Sequence, residues 1–359
     1  MAWLSGYKYR KAFTIDKTKI GSGTHSLFTA YVPIANDAGF GAHAKADGTD
    51  VCWTKADGTT LLNFQRRAFA VDEGLATGSW EVLLADDISS AANPLVYAYY
   101  GDADAADLSD ADGAWNSNVV GAWYLGEAIT GAAGELKDAS ASANHGTPTA
   151  TLDSVVGKIG NCIDVTAAGE MVNCGSGASL DNIRTLTLEC WAYIDTSGVG
   201  QGYGTIACKG FLTGWFLGCN ASATNLRFFV RRATTAGLWT FNVASGAWQH
   251  IALTYDFSSV DNDPAVFVNG SAVSVTEALT PVGDPKDDSA ESFYLGNSDD
   301  AARTFDGKIE EVRVHNVIRS AGWLLTRYNN ESSPGTFVTA GAEEAFVRIP
   351  QYYHRMKVR

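Results

Sequence analysis

The chain has 359 residues, which is enough for two domains or for one large one. Charged residues make up only 18% of it, and no stretch approaches the roughly 18 apolar residues that a membrane-spanning helix needs. The net charge of −14 argues against nucleic-acid binding, because a polyanion would be repelled over most of the surface.

Short runs rich in Val, Thr, Tyr, Phe and Trp, punctuated by 37 glycines, favour an all-β protein. The first ten residues show no basic segment followed by an apolar one. We therefore expect either a protein made and assembled in a cytoplasm or one whose secretion signal has been removed. The cysteines show no CxxC spacing, and we expect them to be buried, reduced thiols: Cys52, Cys162, Cys174, Cys190, Cys208 and Cys219.

Residues 1–101 are predicted to form an N-terminal β-sandwich domain. The sequence Lys-Ala-Asp-Gly-Thr occurs twice, at residues 45–49 and 55–59, and each Asp-Gly predicts a turn at one end of a short strand. The strands that we expect in this unit are residues 7–16, 26–34, 50–54, 80–84 and 95–100.

Residues 102–114 are rich in aspartate and are predicted to be a solvated linker, held open by like charges. Closely spaced carboxylates also suit Ca²⁺, so a calcium loop is the alternative. The spacing matches no EF-hand loop, which favours the linker.

Residues 115–337 are predicted to form a second, larger domain. Many short strands separated by turns are typical of a sandwich or jelly roll. Asn269-Gly270 is a strong signal for a two-residue hairpin, and residues 320–329 fit a short helix that covers one end. The expected strands are residues 119–125, 157–164, 186–194, 204–208, 214–219, 226–231, 238–243, 248–255, 264–268 and 292–296.

Residues 305–316, with the sequence FDGKIEEVRVHN, are predicted to be a half-buried strand after an Asp-Gly turn. Strict alternation would point Ile309, Glu311 and Arg313 to one face. It would point Lys308, Glu310, Val312 and Val314 to the other face, so that only part of one face is apolar.

Residues 338–359 are predicted to be a basic, aromatic tail on an otherwise acidic chain. Tyr and Arg are enriched at protein interfaces, which favours docking on a partner over a frayed terminus. The docking residues that we expect are Arg348, Tyr352, Tyr353, Arg355, Lys357 and Arg359.

The second domain resembles the concanavalin A-like, laminin-G-like superfamily. The matching segments occur in the family's order, at residues 119–127, 138–147, 157–161, 187–191, 248–256, 268–270 and 305–316. The first unit resembles an uncharacterised β-sandwich domain that often precedes such modules in secreted bacterial and phage proteins, with its markers at residues 9–11, 57–62 and 97–101. The resemblance implies facing antiparallel sheets that bind sugar or protein partners, hold a structural Ca²⁺, or are purely architectural.

Exposed aromatic rings stack on the apolar faces of sugars, and arginine binds hydroxyl groups. The candidate carbohydrate-binding residues on the middle strands are Trp215, Arg231, Arg232 and Trp239, with core packing as the alternative for each tryptophan. The resemblance also implies a calcium site near a sandwich edge, for which the candidates are Asp138, Asn144 and Glu310. No other cofactor is expected, and these residues are alternatively ordinary surface acids.

We expect no enzyme activity. A glycosidase needs paired carboxylates about 5–9.5 Å apart, and the Glu-x-Asp-x-x-Glu pattern of the family's glucanases does not occur. The adjacent residues Glu310 and Glu311 would point to opposite faces of a regular strand.

These observations favour a non-enzymatic, two-domain β-sandwich protein displayed on a surface. Without a secretion signal, the hypothesis is a bacteriophage virion component, made in the host cytoplasm: a capsid decoration, tail or fibre protein on the virion surface. Its expected partners are virion proteins, copies of itself and host surface glycans. The alternatives are a secreted bacterial adhesin or lectin and a polysaccharide hydrolase.

Overall fold

The computed structural model describes residues 2–200 and 202–347, and most of the regular structure in them is β-strand. Strands of the first domain are β1 (Tyr9–Ile15), β2 (Thr24–His25), β3 (Phe28–Asp37), β4 (Cys52–Lys55), β5 (Phe64–Asp72), β6 (Leu75–Leu84), β7 (Ile88–Ser89) and β8 (Leu95–Tyr100). Short helices α1 (Ala38–His43) and α2 (Ala111–Ala114) and a 3₁₀ turn (Lys17–Lys19) accompany them. Helix α2 lies in the aspartate-rich segment.

The second domain follows directly in the chain, with a 3₁₀ turn at Ala178–Leu180. Its strands are β9 (Val119–Trp123), β10 (Thr147–Pro148), β11 (Asp153–Val156), β12 (Asn161–Val165), β13 (Val172–Asn173), β14 (Thr185–Ile194), β15 (Thr205–Lys209), β16 (Trp215–Ser222), β17 (Asn225–Val230), β18 (Gly237–Asn242), β19 (Trp248–Asp256), β20 (Ala265–Val268), β21 (Ser271–Val273), β22 (Thr276–Leu279), β23 (Phe293–Leu295) and β24 (Gly307–His315).

The last described segment returns to the first domain through α3 (Ala321–Ser332), α4 (Pro334–Phe337) and β25 (Val338–Ala345). Strand β25 pairs antiparallel with β1, from Tyr9↔Ala345 to Ile15↔Val338. This pairing corrects the prediction of a tail from residue 338: residues 338–345 belong to a sheet, because their backbone completes the free edge of β1. No helix among residues 2–200 and 202–347 is long and apolar enough to cross a membrane.

The first domain is a sandwich. Its larger sheet has the strand order β25-β1-β8-β4 and faces a sheet with the order β3-β6-β5, while β2 pairs with β7. Aromatic side chains fill the space between the sheets: the Phe13 ring lies 4.9 Å from that of Trp53, which lies 5.6 Å from Trp80. Burying such a side chain contributes about 1.5–3 kcal/mol, so this aromatic cluster holds the two sheets together.

The second domain is a jelly roll of facing antiparallel sheets. One has the order β10-β13-β23-β15-β16-β17-β18-β22, and the other has the order β11-β12-β24-β14-β19-β20-β21, with β9 also paired to β24. Alternate residues of each strand enter one shared core, for example Leu188, Leu217 and Phe228. The predicted all-β fold with a jelly roll in the second part is confirmed, as is the hairpin at Asn269-Gly270, which joins β20 to β21.

Strand β24 departs from the alternation that its sequence predicts. Glu311 has a positive φ of 55°, and the pairing of β24 with β14 shifts register there. This β-bulge places Ile309, Val312 and Val314 in the core together, so the prediction that Ile309 and Val312 face opposite sides is wrong. Glu310 and Arg313 remain outside the apolar core.

A buried ion network joins the two domains. Arg67 of β5 lies 3.0 Å from Glu81 of β6 and 2.6 Å from Glu311 of β24. Arg313 of β24 extends the network to Glu311 and, at 2.7 Å, to Glu331 of α3. The carboxylates are 0–1% exposed, so solvent screens these pairs little. The network therefore fixes the jelly roll to the first domain and to α3.

All six cysteines are buried and have free thiols. Burial raises the pKa of Cys52, Cys190 and Cys219 to about 12. Since the thiolate is the reactive form, these residues behave as small apolar side chains and not as nucleophiles.

Candidate functional site

Strands β16 and β17 carry aromatic residues on both of their faces. Trp215 and Phe228 point into the core of the jelly roll. Their neighbours Phe216 and Phe229 therefore lie on the outer face of the sheet, because successive side chains of a strand point to opposite sides. Arg227 shares that outer face, since it precedes Phe228.

The outer rings form a continuous stack. Phe216 lies 5.0 Å from Phe229 with an interplanar angle of 10°, and 5.2 Å from Phe211 of the preceding loop. Arginines cover this stack from β17 and from the loop before β24. We call this surface the arginine–phenylalanine face and define it by Phe211, Phe229, Arg227, Arg231 and Arg303. Phe216 is only 1% exposed and is the buried ring beneath them.

Each guanidinium of the face lies over an aromatic ring. Arg303 is 3.7 Å from the centroid of Phe211, and Arg231 is 4.5 Å from that of Phe229. Arg227 is 4.9 Å from Phe216 and 4.6 Å from Tyr203. Each contact of this kind is worth about 0.5–1 kcal/mol at an exposed site, so the rings hold the cations in fixed positions.

The arginines of the face are poorly neutralised by the protein itself. Arg303 pairs with Asp300, whereas Arg231 donates through Nε to the carbonyl of Phe211 at 2.9 Å. Among the described residues, Arg227 has no hydrogen-bond acceptor and no carboxylate partner, and its Nε is buried. Burial and the charge of Arg303 lower the pKa of Arg227 and that of Arg231. The face therefore presents positive charge on a chain whose net charge is −14.

The structure brings only one of the predicted carbohydrate-binding residues, Arg231, to this face. Trp215 and Trp239 are 2% and 0% exposed within the core, and the indole nitrogen of Trp239 donates to Asp263 at 2.7 Å. Their rings cannot stack on a sugar, so the prediction is wrong for both. Arg232 is also buried, where it donates to Tyr255 at 3.1 Å.

The sequence contained a signal for the residues that the prediction missed. Two bulky aromatic residues in succession on a strand, as in Phe228-Phe229 or Trp215-Phe216, must face opposite sides. One member of each pair is then on the outer face. Arg303 and Phe211 lie on loops, and no periodicity in the sequence places them beside those rings.

Two of the predicted calcium ligands, Asp138 and Asn144, lie together, and the third, Glu310, does not join them. Asp138 accepts the backbone N–H groups of Ala122, Ser140 and Asn144, each at 2.8 Å, so its oxygens organise a loop. Glu310 lies elsewhere and accepts from backbone groups of another loop. No three Asp, Glu, His or Cys side chains in residues 2–200 and 202–347 are grouped to hold a metal ion. The residues present therefore do not fit the calcium site that the resemblance implies.

Glu310 and Glu311 are both 1% exposed, so neither can reach a substrate. One oxygen of Glu310 accepts from Lys158 N and Ile159 N at 2.8 Å, while Oε2 is buried without a partner. Burial, with a contribution from Glu311, raises the pKa of Glu310 to about 8. Glu311 is engaged by Arg67 and Arg313. The pair is a structural part of the domain junction.

A cleft of about 370 Å³ lies at the domain junction, beside the ion network. Its lining includes Gln65, Tyr124 and Asn161. Its arginine, Arg67, already contacts Glu81 and Glu311, and its lysine, Lys137, donates to the carbonyl of Gly134 at 2.7 Å. The predicted docking residues lie outside the part of the chain that the structure describes: Arg348, Tyr352, Tyr353, Arg355, Lys357 and Arg359.

Residues 168–324 match the model of the concanavalin A-like lectin/glucanases superfamily. No protein of curated function matches the sequence. Among solved structures, the chain is similar to the binding domain of Paraclostridial Mosquitocidal Protein 1, at 12% identity and a TM-score of 0.44 over 59% of this chain and 52% of that one. The receptor binding domain of botulinum neurotoxin type G gives 13% identity and a TM-score of 0.42, over 59% and 51%.

A third similar structure is domain 4 of AbnA, an extracellular arabinanase from Geobacillus stearothermophilus, in complex with arabinotriose. The identity is 14% and the TM-score 0.37, over 59% of this chain and 98% of that one. The chain spans about half the length of the toxin binding domains. The family match and the facing antiparallel sheets identify the larger domain of this chain as a concanavalin A-like, laminin-G-like jelly roll.

Proposed function

We propose that the protein is a non-catalytic adhesion protein, displayed on a surface, whose laminin-G-like domain binds its partner through the arginine–phenylalanine face. The observation that carries this proposal is Arg227, a half-buried guanidinium with no acceptor among the described residues. Leaving a buried polar group unsatisfied costs about 1–3 kcal/mol, and more for a charged group. A ligand that supplies an acceptor removes that cost when it binds.

The scaffold suits binding because it holds the face rigidly. The strands that carry Arg227 and Phe216 pair with each other and with strands on either side. Their inner side chains are fixed by the core. A preorganised surface loses little conformational entropy on association, so more of the contact energy appears as affinity.

The setting that we propose is the surface of a bacteriophage virion, as a capsid decoration, tail or fibre protein made in the host cytoplasm. Support comes from the first domain, which resembles the sandwich that precedes laminin-G-like modules in phage and secreted bacterial proteins. Its partners would be virion proteins or copies of itself on one side and host surface molecules on the other. We propose that binding requires no cofactor, since Asp138 and Glu310 accept backbone N–H groups of different loops.

Mass spectrometry of purified particles, with immunogold labelling, tests this setting. We expect the chain in stoichiometric amounts on particles and the label on their outer surface. Recovery of the chain only as a free protein of the host cytoplasm would contradict the proposal, and recovery from a bacterial cell surface would favour a secreted adhesin instead.

A further inference from the structure

We propose that the ligand of the arginine–phenylalanine face is a polysaccharide that carries carboxylate groups. This inference rests on the proposed function, because it names the chemical class that the face would bind. It starts from the combination of unpaired guanidinium groups and apolar rings on the same sheet face.

The guanidinium groups select for a planar anion. A guanidinium is a planar fork of N–H donors that matches both oxygens of a carboxylate. Among the described residues, Arg227 donates to no protein acceptor, and Arg231 donates only through Nε. Their remaining donors are therefore available to a ligand, and the fixed ring contacts keep the forks in place.

The phenylalanine rings select for a ligand with apolar faces. Phe211 and Phe229 are half-buried beside the cations, and Tyr203 and Leu212 at the rim are 38% and 63% exposed. A sugar ring has an apolar face that stacks on an aromatic side chain. An acidic sugar carries that face and a carboxylate in one rigid unit, whereas an acidic peptide joins its carboxylates through flexible chains that lose entropy on binding.

The negative charge of the rest of the chain restricts which acidic polymers can bind. A net charge of −14 repels polyanions at long range, so a bound acidic polymer must gain its affinity from local contacts with the face. Salt screens both the repulsion and the local ion pairs. The long-range repulsion is screened more than contacts with half-buried arginines, so we expect binding to persist at physiological ionic strength.

Isothermal titration of the full chain at about 0.15 M salt tests the inference. The probes are oligogalacturonate, alginate oligomers and oligomeric polysialic acid, and the matched neutral probe is the methyl ester of oligogalacturonate. We expect at least one acidic probe to bind, and the ester to bind at least about 10-fold more weakly than its acid, a difference that corresponds to the loss of one charge-assisted contact.

Variants locate the site. Arg227→Ala and Arg231→Ala are each expected to weaken binding about 10-fold or more, and Arg227→Lys should recover it only in part, because lysine keeps the charge and loses the fork. Arg184→Ala, an exposed arginine away from the face, is the control for a lost positive charge and should bind like the wild type. Thermal unfolding of each variant checks that the fold is retained.

Several results would overturn the inference. They are failure of all three acidic probes to bind, equal binding of the ester and its acid, or unchanged binding by both alanine variants. Equal binding of poly-L-glutamate with the same dependence on Arg227 would replace the sugar by an acidic protein segment. If the chain is on particles and adheres to host cells yet ignores every acidic probe, the ligand class is wrong while the adhesion function stands.

Discussion

The contacts of an arginine in this chain indicate whether its role is structural or in binding. Arg67 and Arg313 each contact two glutamates in the buried junction, whereas Arg227 contacts only rings. The sequence could not make this distinction, because it depends on contacts such as that between Arg67 and Glu311, which are far apart in the chain. It also could not decide between core and surface for Trp215, since β16 has aromatic residues on both faces.

At the residue scale, we predict that Glu310 makes stability fall as pH rises. Its pKa is raised from an ordinary value of 4.5 to about 8 by burial. A carboxyl group that holds its proton more tightly in the folded state contributes its full stability below pH 4.5, and this contribution is lost as pH rises through 8. Glu310→Gln mimics the protonated acid and keeps the acceptor for Lys158 N and Ile159 N.

The variant should therefore match the wild type near pH 5 and exceed its free energy of unfolding by about 1–3 kcal/mol at pH 9. Urea denaturation at the two pH values measures the difference. Glu277→Gln, on the exposed strand β22, is the control and should follow the wild type throughout. A constant difference between Glu310→Gln and the wild type at both pH values would show that the carboxyl does not titrate in this range.

Elements were predicted best where one face is apolar and the strand is regular. Strands such as β14 and β19 were found within one residue at each end, because their long apolar runs are bounded by turns. Strand β24 was located correctly, but its inward residues were assigned wrongly, since a bulge depends on the positive φ of Glu311 and leaves no mark in the hydrophobic pattern. Strand β25 was missed because it belongs to a sheet more than 300 residues earlier in the chain.

At the element scale, we predict that the β20–β21 hairpin is locked against α3. Gly270 has φ 73°, and a Cβ there would lie 2.8 Å from Leu325 Cδ1 and 2.9 Å from Tyr328 Cδ1. Gly246 has nearly the same φ, 70°, with open space around it. Gly246→Ala should cost about 1–2 kcal/mol for the left-handed backbone alone. Gly270→Ala should cost about 1 kcal/mol more, because the half-exposed side chains of Leu325 and Tyr328 must move away from the new methyl group.

Chemical denaturation of the two variants measures both costs. Because the backbone strain is matched, the difference between them reports the contact with α3. Equal destabilisation would contradict a locked contact, because it would mean that Leu325 and Tyr328 move aside without cost.

At the scale of the whole molecule, the described chain begins and ends in the first domain, and the jelly roll lies between. The ion network and the segment from α3 to β25 connect the two domains. The all-β fold and the jelly roll were predictable from turn signals and resemblance. The junction was not, since its charged residues look like ordinary surface residues in sequence.

We predict that breaking the junction separates the unfolding of the two domains. Arg67→Ala leaves Glu81 and Glu311 buried without this partner and should cost about 3–5 kcal/mol. Its neighbour Arg66 pairs at 2.7 Å with Asp107, which is 39% exposed, so Arg66→Ala should cost about 1 kcal/mol or less. Calorimetry should show one transition for Arg66→Ala and two for Arg67→Ala. Identical thermograms for the two variants would refute a coupling role for the network.

We propose that the jelly roll binds its ligand on the arginine–phenylalanine face. Hydrogen–deuterium exchange of the full chain, with and without a saturating acidic oligosaccharide, tests it most directly. We expect slower exchange in residues 210–214 and 297–303, the loops that carry Phe211 and Arg303, with little change in the first domain. Slower exchange around Gln65, Tyr124 and Asn161 in the junction cleft, with these loops unchanged, would contradict it.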